Sequence, residues 1–159
     1  MAKTSQFSYT NTGASTHALT PYLLGLTTNY AITQDDANRT RLNNKTAPID
    51  AMEIVSFASQ DISKVSNTLN IVNPTNVKGG IQYSALVEET LTTTDSNDAS
   101  FRVDEPIIAS LSIRHPKSGN ITGDLVAEVV MRLLSSLVKA DGTWRFDDLM
   151  RSAERPVVD

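Results

Sequence analysis

Apolar and polar side chains alternate along several stretches of the chain. Met52, Ile54, Ser56 and Ala58 point one way, and Glu53, Val55, Phe57 and Ser59 the other. From Ile81 to Thr93, Ile81, Tyr83, Ala85 and Val87 oppose Gln82, Ser84, Leu86 and Glu88. Ile107, Ala109, Leu111 and Ile113 alternate with Ile108, Ser110, Ser112 and Arg114, between Pro106 at the start and Pro116 at the end. Val65 to Ile71 alternates as well, with Lys64, Ser66, Thr68 and Asn70 on its polar side. A period of two is that of half-buried β-strands, and these four stretches are predicted as such. Asn73-Pro74-Thr75-Asn76, Gly79-Gly80 and Asp95-Ser96-Asn97-Asp98 read as the loops between them.

After Pro116 the period lengthens to that of a helix. Leu125, Val126, Val129, Val130, Leu133, Leu134, Leu137 and Val138 form one broad apolar stripe. Thr122 is the expected N-cap and Gly142 the expected C′ residue. Asp124 suits the positive helix end, and Glu128 and Arg132 are spaced for an i,i+4 pair. A shorter helix is expected from about Trp144 to Ala153, with Phe146, Leu149, Met150 and Ala153 as its apolar side. At the other end, residues 1–16 are polar and read as a mobile arm or an edge hairpin. Residues 17–33 carry Pro21 and Gly25, which argue against helix and suit short strands with a bend. Gln34 to Lys45 is polar, with Asp35-Asp36 and Asn43-Asn44 as turn signals. Strands followed by two helices make an α+β fold with a mainly antiparallel sheet, a single domain over residues 1–159.

Composition narrows the function. Thr, Ser and Asn supply 45 of 159 residues, which favours strands and turns over long helices. The absence of cysteine excludes disulfides and thiolate metal sites, and two histidines, His17 and His115, leave little for zinc or acid–base chemistry. No metal and no cofactor is expected. The net charge of −4 does not advertise nucleic-acid binding, which would need a local basic patch. No run approaches the roughly 18 apolar residues that cross a bilayer, and the N-terminus lacks the pattern of a signal peptide.

Motifs for phosphate binding, dinucleotide binding, serine hydrolases and zinc proteases are missing. Asp95 and Asn97 begin like a calcium loop, but Ser100 stands where its glycine belongs and Pro106 where its glutamate belongs. Glu88 and Glu89 are neighbours in a strand and face opposite sides. Asp147-Asp148 fit a helix dipole better than catalysis. The chain is therefore not read as an enzyme.

Two surfaces call for a partner. The helix stripe packs either on its own sheet or on that of a second copy. The polar strand positions, Lys64, Ser66, Thr68, Asn70, Gln82, Ser84, Ser110, Ser112 and Arg114, make either a solvated face or a ligand platform, with RNA as the candidate ligand.

Three stretches together resemble the coat proteins of single-stranded RNA bacteriophages, the levivirus-like group. They are Arg41-Leu42-Asn43-Asn44-Lys45-Thr46-Ala47-Pro48 with the strand Met52 to Ala58; Val87-Glu88-Glu89-Thr90-Leu91 through Asp95-Ser96 to Phe101-Arg102-Val103-Asp104-Glu105-Pro106; and Leu111-Ser112-Ile113-Arg114-His115-Pro116 through both helices to Pro156. The likeness spans roughly residues 38–156 and rests on order and character. It implies an N-terminal hairpin and a five-stranded antiparallel sheet, then two helices that clasp the sheet of a partner. It implies an interlocked homodimer, with Val126, Val129, Val130, Leu133, Leu134, Leu137, Phe146 and Leu149 in the interface. Dimers would close into an icosahedral shell, commonly of T=3 type, that packages single-stranded genomic RNA in the bacterial host cytoplasm. The inner sheet face, with Lys64, Ser66, Thr68, Gln82, Ser84, Ser110, Ser112 and Arg114, would touch the RNA, and in this family can bind a hairpin and repress translation. A maturation protein is a further partner that the resemblance implies. The alternatives are a fimbrial-type structural subunit without nucleic acid and, further off, a small enzyme with dispersed carboxylates.

Overall fold

The computed structural model describes residues 24–65, 79–139 and 141–151. A single helical turn, α1 (Leu26–Asn29), precedes five strands: β1 (Tyr30–Asp36), β2 (Arg39–Asn44), β3 (Ile54–Ile62), β4 (Gly80–Asp95) and β5 (Asp98–Pro116). Two helices follow, α2 (Gly123–Ser136) and α3 (Phe146–Arg151). The strands form one antiparallel sheet in the order β1-β2-β3-β4-β5, each paired with its neighbour in sequence. The sheet lies in a compact unit that ends at Ser118, and α2 and α3 lie in a second unit that takes in the residues from Gly119 onward.

Alternation builds the sheet's apolar side. Ile32, Leu42, Val55, Val87 and Ala109 stand directly opposite one another across all five strands. Residues opposed in this way share a face. Tyr30, Leu42 and Val55 are buried there, with Leu26 and Val87 packed against them. Glycine is needed where β4 begins. Gly79 has a φ of 74°, and a Cβ on Gly80 would lie 2.4 Å from the His115 carbonyl oxygen. Tight turns close the two hairpins. Asp95 accepts from the Asn97 amide at 2.8 Å across the β4–β5 turn, and Thr40 donates to Asp35 at 3.1 Å beside the β1–β2 turn.

In α2, the Thr122 hydroxyl accepts from the Leu125 amide at 3.4 Å, so it is the N-cap that the sequence predicts. Glu128 and Arg132 pair one turn apart. The helix ends well before Gly142. The Ser135 and Ser136 hydroxyls bond back to the Met131 and Leu133 carbonyls, and the Leu137 amide reaches Leu134 in a tightened last turn. Gly142, with φ of 84°, serves a small turn in which Val138 bridges Trp144. Trp144 stacks on Phe146 with ring centroids 5.4 Å apart. No helix of the described residues is long and apolar enough to cross a membrane.

Four further sequence expectations change. Gln34 to Lys45 is not a polar connection: it holds the end of β1 and the whole of β2, with the turn at Ala37 and Asn38. Asn44 does not turn the chain within that segment but ends β2, accepting from the Thr46 amide at 2.9 Å. Gly25 precedes one turn of helix, not a bent strand. β5 starts at Asp98, eight residues earlier than Pro106 suggests. Pro106 is tolerated inside β5 because, among the described residues, β5 pairs on one side only. The strand expected at Val65 to Ile71 lies outside the described residues except for Val65, where no strand is present.

Candidate nucleic-acid interface

The strand registers set the polar face of the sheet row by row. Gln60, Gln82 and Arg114 oppose one another across β3, β4 and β5. The next row runs Asp36, Arg39, Ala58, Ser84, Ser112 over all five strands. The row beyond is Gln34, Arg41, Ser56, Leu86, Ser110. Five of the anticipated residues, Gln82, Ser84, Ser110, Ser112 and Arg114, thus share one face. Lys64 does not stand on a strand: β3 ends at Ile62, and Lys64 is exposed in the segment after it. Ile62, the last residue of β3, pairs with Gly80 at the start of β4. Ser66 and Thr68 lie outside the described residues.

The alternation reading missed Arg39 and Arg41. They sit on the same face as Arg114, three strands away at roughly 4.8 Å per strand. The signal was present: Thr40 and Leu42 alternate with Arg39, Arg41 and Asn43. Among the described residues, no ion pair engages Arg39, Arg41 or Arg114. Arg39 and Arg41 on β2, with Asp36 opposite Arg39 on β1, and Arg114 on β5 thus stand on either side of a neutral floor. Ala58, Ser59, Gln60, Gln82 and Ser84 line a shallow hollow of about 140 Å³ there. Amides and hydroxyls can both donate and accept, so this floor suits the edges of bases, while guanidinium groups suit phosphate oxygens.

The opposite face contains one polar cluster. The Tyr30 hydroxyl donates to Glu53 Oε1 at 2.6 Å, and Asn44 Nδ2 donates to Glu53 Oε2 at 2.6 Å. Burial, aided by the Glu53 hydrogen bond and the Glu53 and Glu89 charges, pushes the Tyr30 hydroxyl up to about 12. Both carboxylate oxygens of Glu53 are thereby satisfied, and the cluster locks β1, β2 and the start of β3 together. At the sheet's other end Lys117 pairs with Asp61 at 2.9 Å. No group of three or more potential metal ligands occurs among the described residues.

Apolar surface remains in excess. Among the described residues only Tyr30, Leu42 and Val55 are buried hydrophobics. In α2, Val129 and Leu133 are each 50% exposed, and in α3 Phe146 and Leu149 are exposed as well. Val126, Val130, Leu134 and Leu137 are half-buried.

No family model and no curated protein matches the chain. Solved structures do. A chain of the virus-like particle of bacteriophage AVE015 matches with a TM-score of 0.87 at 19% identity, over 98% of each chain. One from the virus-like particle of bacteriophage GQ-112 matches at 0.77 and 13% identity, over 94% of this chain and 95% of that one. One from the virus-like particle of Beihai levi-like virus 32 matches at 0.51 and 15% identity, over 80% and 88%. The five-stranded antiparallel sheet followed by helices is thus the levivirus coat-like fold.

Proposed function

We propose that the chain is the coat subunit of a levivirus-like bacteriophage: it dimerises, closes into an icosahedral shell and packages single-stranded RNA. The observation that carries this reading is the likeness, over 98% of both chains, to a chain from a phage virus-like particle. Two features of the chain agree with it. Only three hydrophobics are buried among the described residues, which leaves apolar surface for other copies. The stripe Val126, Val129, Val130, Leu133, Leu134 and Leu137, with Phe146 and Leu149, is the surface that a second copy's sheet covers. The polar sheet face supplies what RNA needs. Arg39, Arg41 and Arg114 take phosphates, and Gln82, Ser84, Ser110 and Ser112 meet bases and sugars. Lys64, Ser66 and Thr68 are proposed as further RNA contacts. Three guanidinium groups per copy suffice despite the acidic net charge, because many copies act on one packaged chain.

The test is expression in bacteria followed by nuclease treatment of the purified product and extraction of nucleic acid. Closed particles containing nuclease-protected RNA are expected. Folded protein that neither assembles nor protects RNA contradicts the reading. Repression of translation by a bound hairpin is a separate part of the proposal, tested by a reporter carrying candidate hairpins upstream of its start codon.

A further inference from the structure

β3 stops pairing with β4 at Ile54 and Glu88. Beyond that row the β4–β5 hairpin continues as a ribbon of two strands, from Glu89 to Asp95 and from Asp98 to Ile107. A two-stranded ribbon gains little stability of its own in water. The register sorts its side chains onto two faces. Thr90, Thr92, Asp104 and Arg102 share one; Leu91, Val103 and Ile107 share the other with Glu89, Thr93 and Glu105, and alternation puts Phe101 with them. These four apolar residues are all exposed.

Beside the ribbon, the β2–β3 connection presents the most exposed of the large hydrophobic side chains described. Ile49 is 92% exposed. It is not on a loose loop. The Ala51 amide donates to the Pro48 carbonyl at 3.1 Å, closing a turn around Ile49 and Asp50. Asp50 is ion-paired with Arg102 at 2.6 Å. Arg102 also pairs with Asp104 at 3.0 Å, and Asp104 accepts from the Thr92 hydroxyl at 2.6 Å. The turn is therefore braced against the polar face of the ribbon, with an apolar knob held out into solvent.

We infer that Ile49 of one copy seats on the Leu91–Phe101–Val103–Ile107 stripe of a neighbouring copy, a head-to-tail contact separate from the dimer interface. This rests on the coat reading above. Knob and stripe belong to one chain, yet the brace to Arg102 ties the knob to the ribbon's polar face, away from its own stripe. Their union needs a second copy, and a contact between two different patches repeats around a rotation axis to close a ring. A closed shell needs contacts of that kind between its dimers. The charges agree: Lys45 lies on the same loop as the knob, a loop whose carboxylates Asp50 and Glu53 are engaged by Arg102 and by Tyr30 and Asn44, while Glu89 and Glu105 stand within the stripe, opposite Ile107 and Leu91.

The wild-type chain has no cysteine, so a double variant, Ile49→Cys with Val103→Cys, reports the contact cleanly. Particles of this variant, mildly oxidised, should run on a non-reducing denaturing gel as a ladder that reducing agent collapses. The single variants should run as monomers. A second variant, Ile49→Asp, should remain a dimer with unchanged circular dichroism but yield at least tenfold fewer particles, and Ile49→Leu should restore them. Double-cysteine particles that show only monomers, or Ile49→Asp particles formed in wild-type yield, overturn the contact and leave the coat reading standing. Wild-type protein that never assembles overturns the coat reading, and this contact with it.

Discussion

Gln82 lies directly across from Arg114 on adjacent antiparallel strands, so both side chains leave the sheet on the same face. The pair joins an amide, which can read a base, to a guanidinium, which can hold a phosphate. Arg39 and Arg41 bring the same charge from the far side of a neutral floor.

If these arginines hold phosphates, removing them weakens RNA binding without weakening the fold. For a single strand, each phosphate that the protein no longer neutralises lowers the slope of log affinity against log salt by about 0.7. Arg39→Ala, Arg41→Ala and Arg114→Ala should each reduce the slope by that amount for dimers titrated with single-stranded RNA, with melting temperatures little changed. An unaltered slope in all three would move the RNA to another surface.

The alternation that pairs Gln82 with Arg114 is legible in the sequence because β4 and β5 follow it through long runs. The strand holding Arg39 and Arg41 is not, because its six residues are mostly charged or amide-bearing and its apolar side shows only Leu42 with Thr40. Asn43 and Asn44 look like a turn, yet the turn follows them. The length of α2 is hidden for a similar reason. Gly142 is the stronger stop signal by composition, but Ser135 and Ser136 end the helix first by bonding to its carbonyls. The Asp50–Arg102 brace joins residues far apart in the chain and leaves no local trace at all.

The helix stripe makes a separate demand. A Leu133→Asp variant places a charge where a partner's sheet is proposed to pack, and burying an unpaired carboxylate costs several kcal/mol at least. Sedimentation should find monomers in place of dimers, and no shells. A folded variant that remains dimeric at wild-type stability would remove α2 from the interface.

Tyr30 gives the sheet a pH limit. Its folded-state pKa of about 12 stands above the ordinary 10.0. Its contribution is therefore complete below pH 10 and fades as the pH rises through 12. Melting temperature should fall over that window more steeply for the wild type than for Tyr30→Phe. At neutral pH Tyr30→Phe should itself cost about 1–2 kcal/mol, since Glu53 Oε1 is left without its donor while Asn44 still serves Oε2. Parallel pH profiles would show that the hydroxyl is not linked to folding.

Gly80 tests the close approach of β4 to β5. A methyl group there would meet the His115 carbonyl oxygen at 2.4 Å and Val65 Cγ2 at 2.6 Å, so Gly80→Ala should destabilise by roughly 1–3 kcal/mol. Chemical denaturation of the two proteins measures the difference, and equal midpoints would contradict the geometry.

The central claim, a coat subunit that assembles around RNA, is tested most directly by size-exclusion chromatography of the bacterially expressed protein with absorbance read at 260 and 280 nm across the profile. The account predicts a peak at the size of closed particles, with the absorbance ratio of a protein–nucleic-acid complex. Protein that elutes only as monomer or dimer, with the ratio of protein alone, would contradict it.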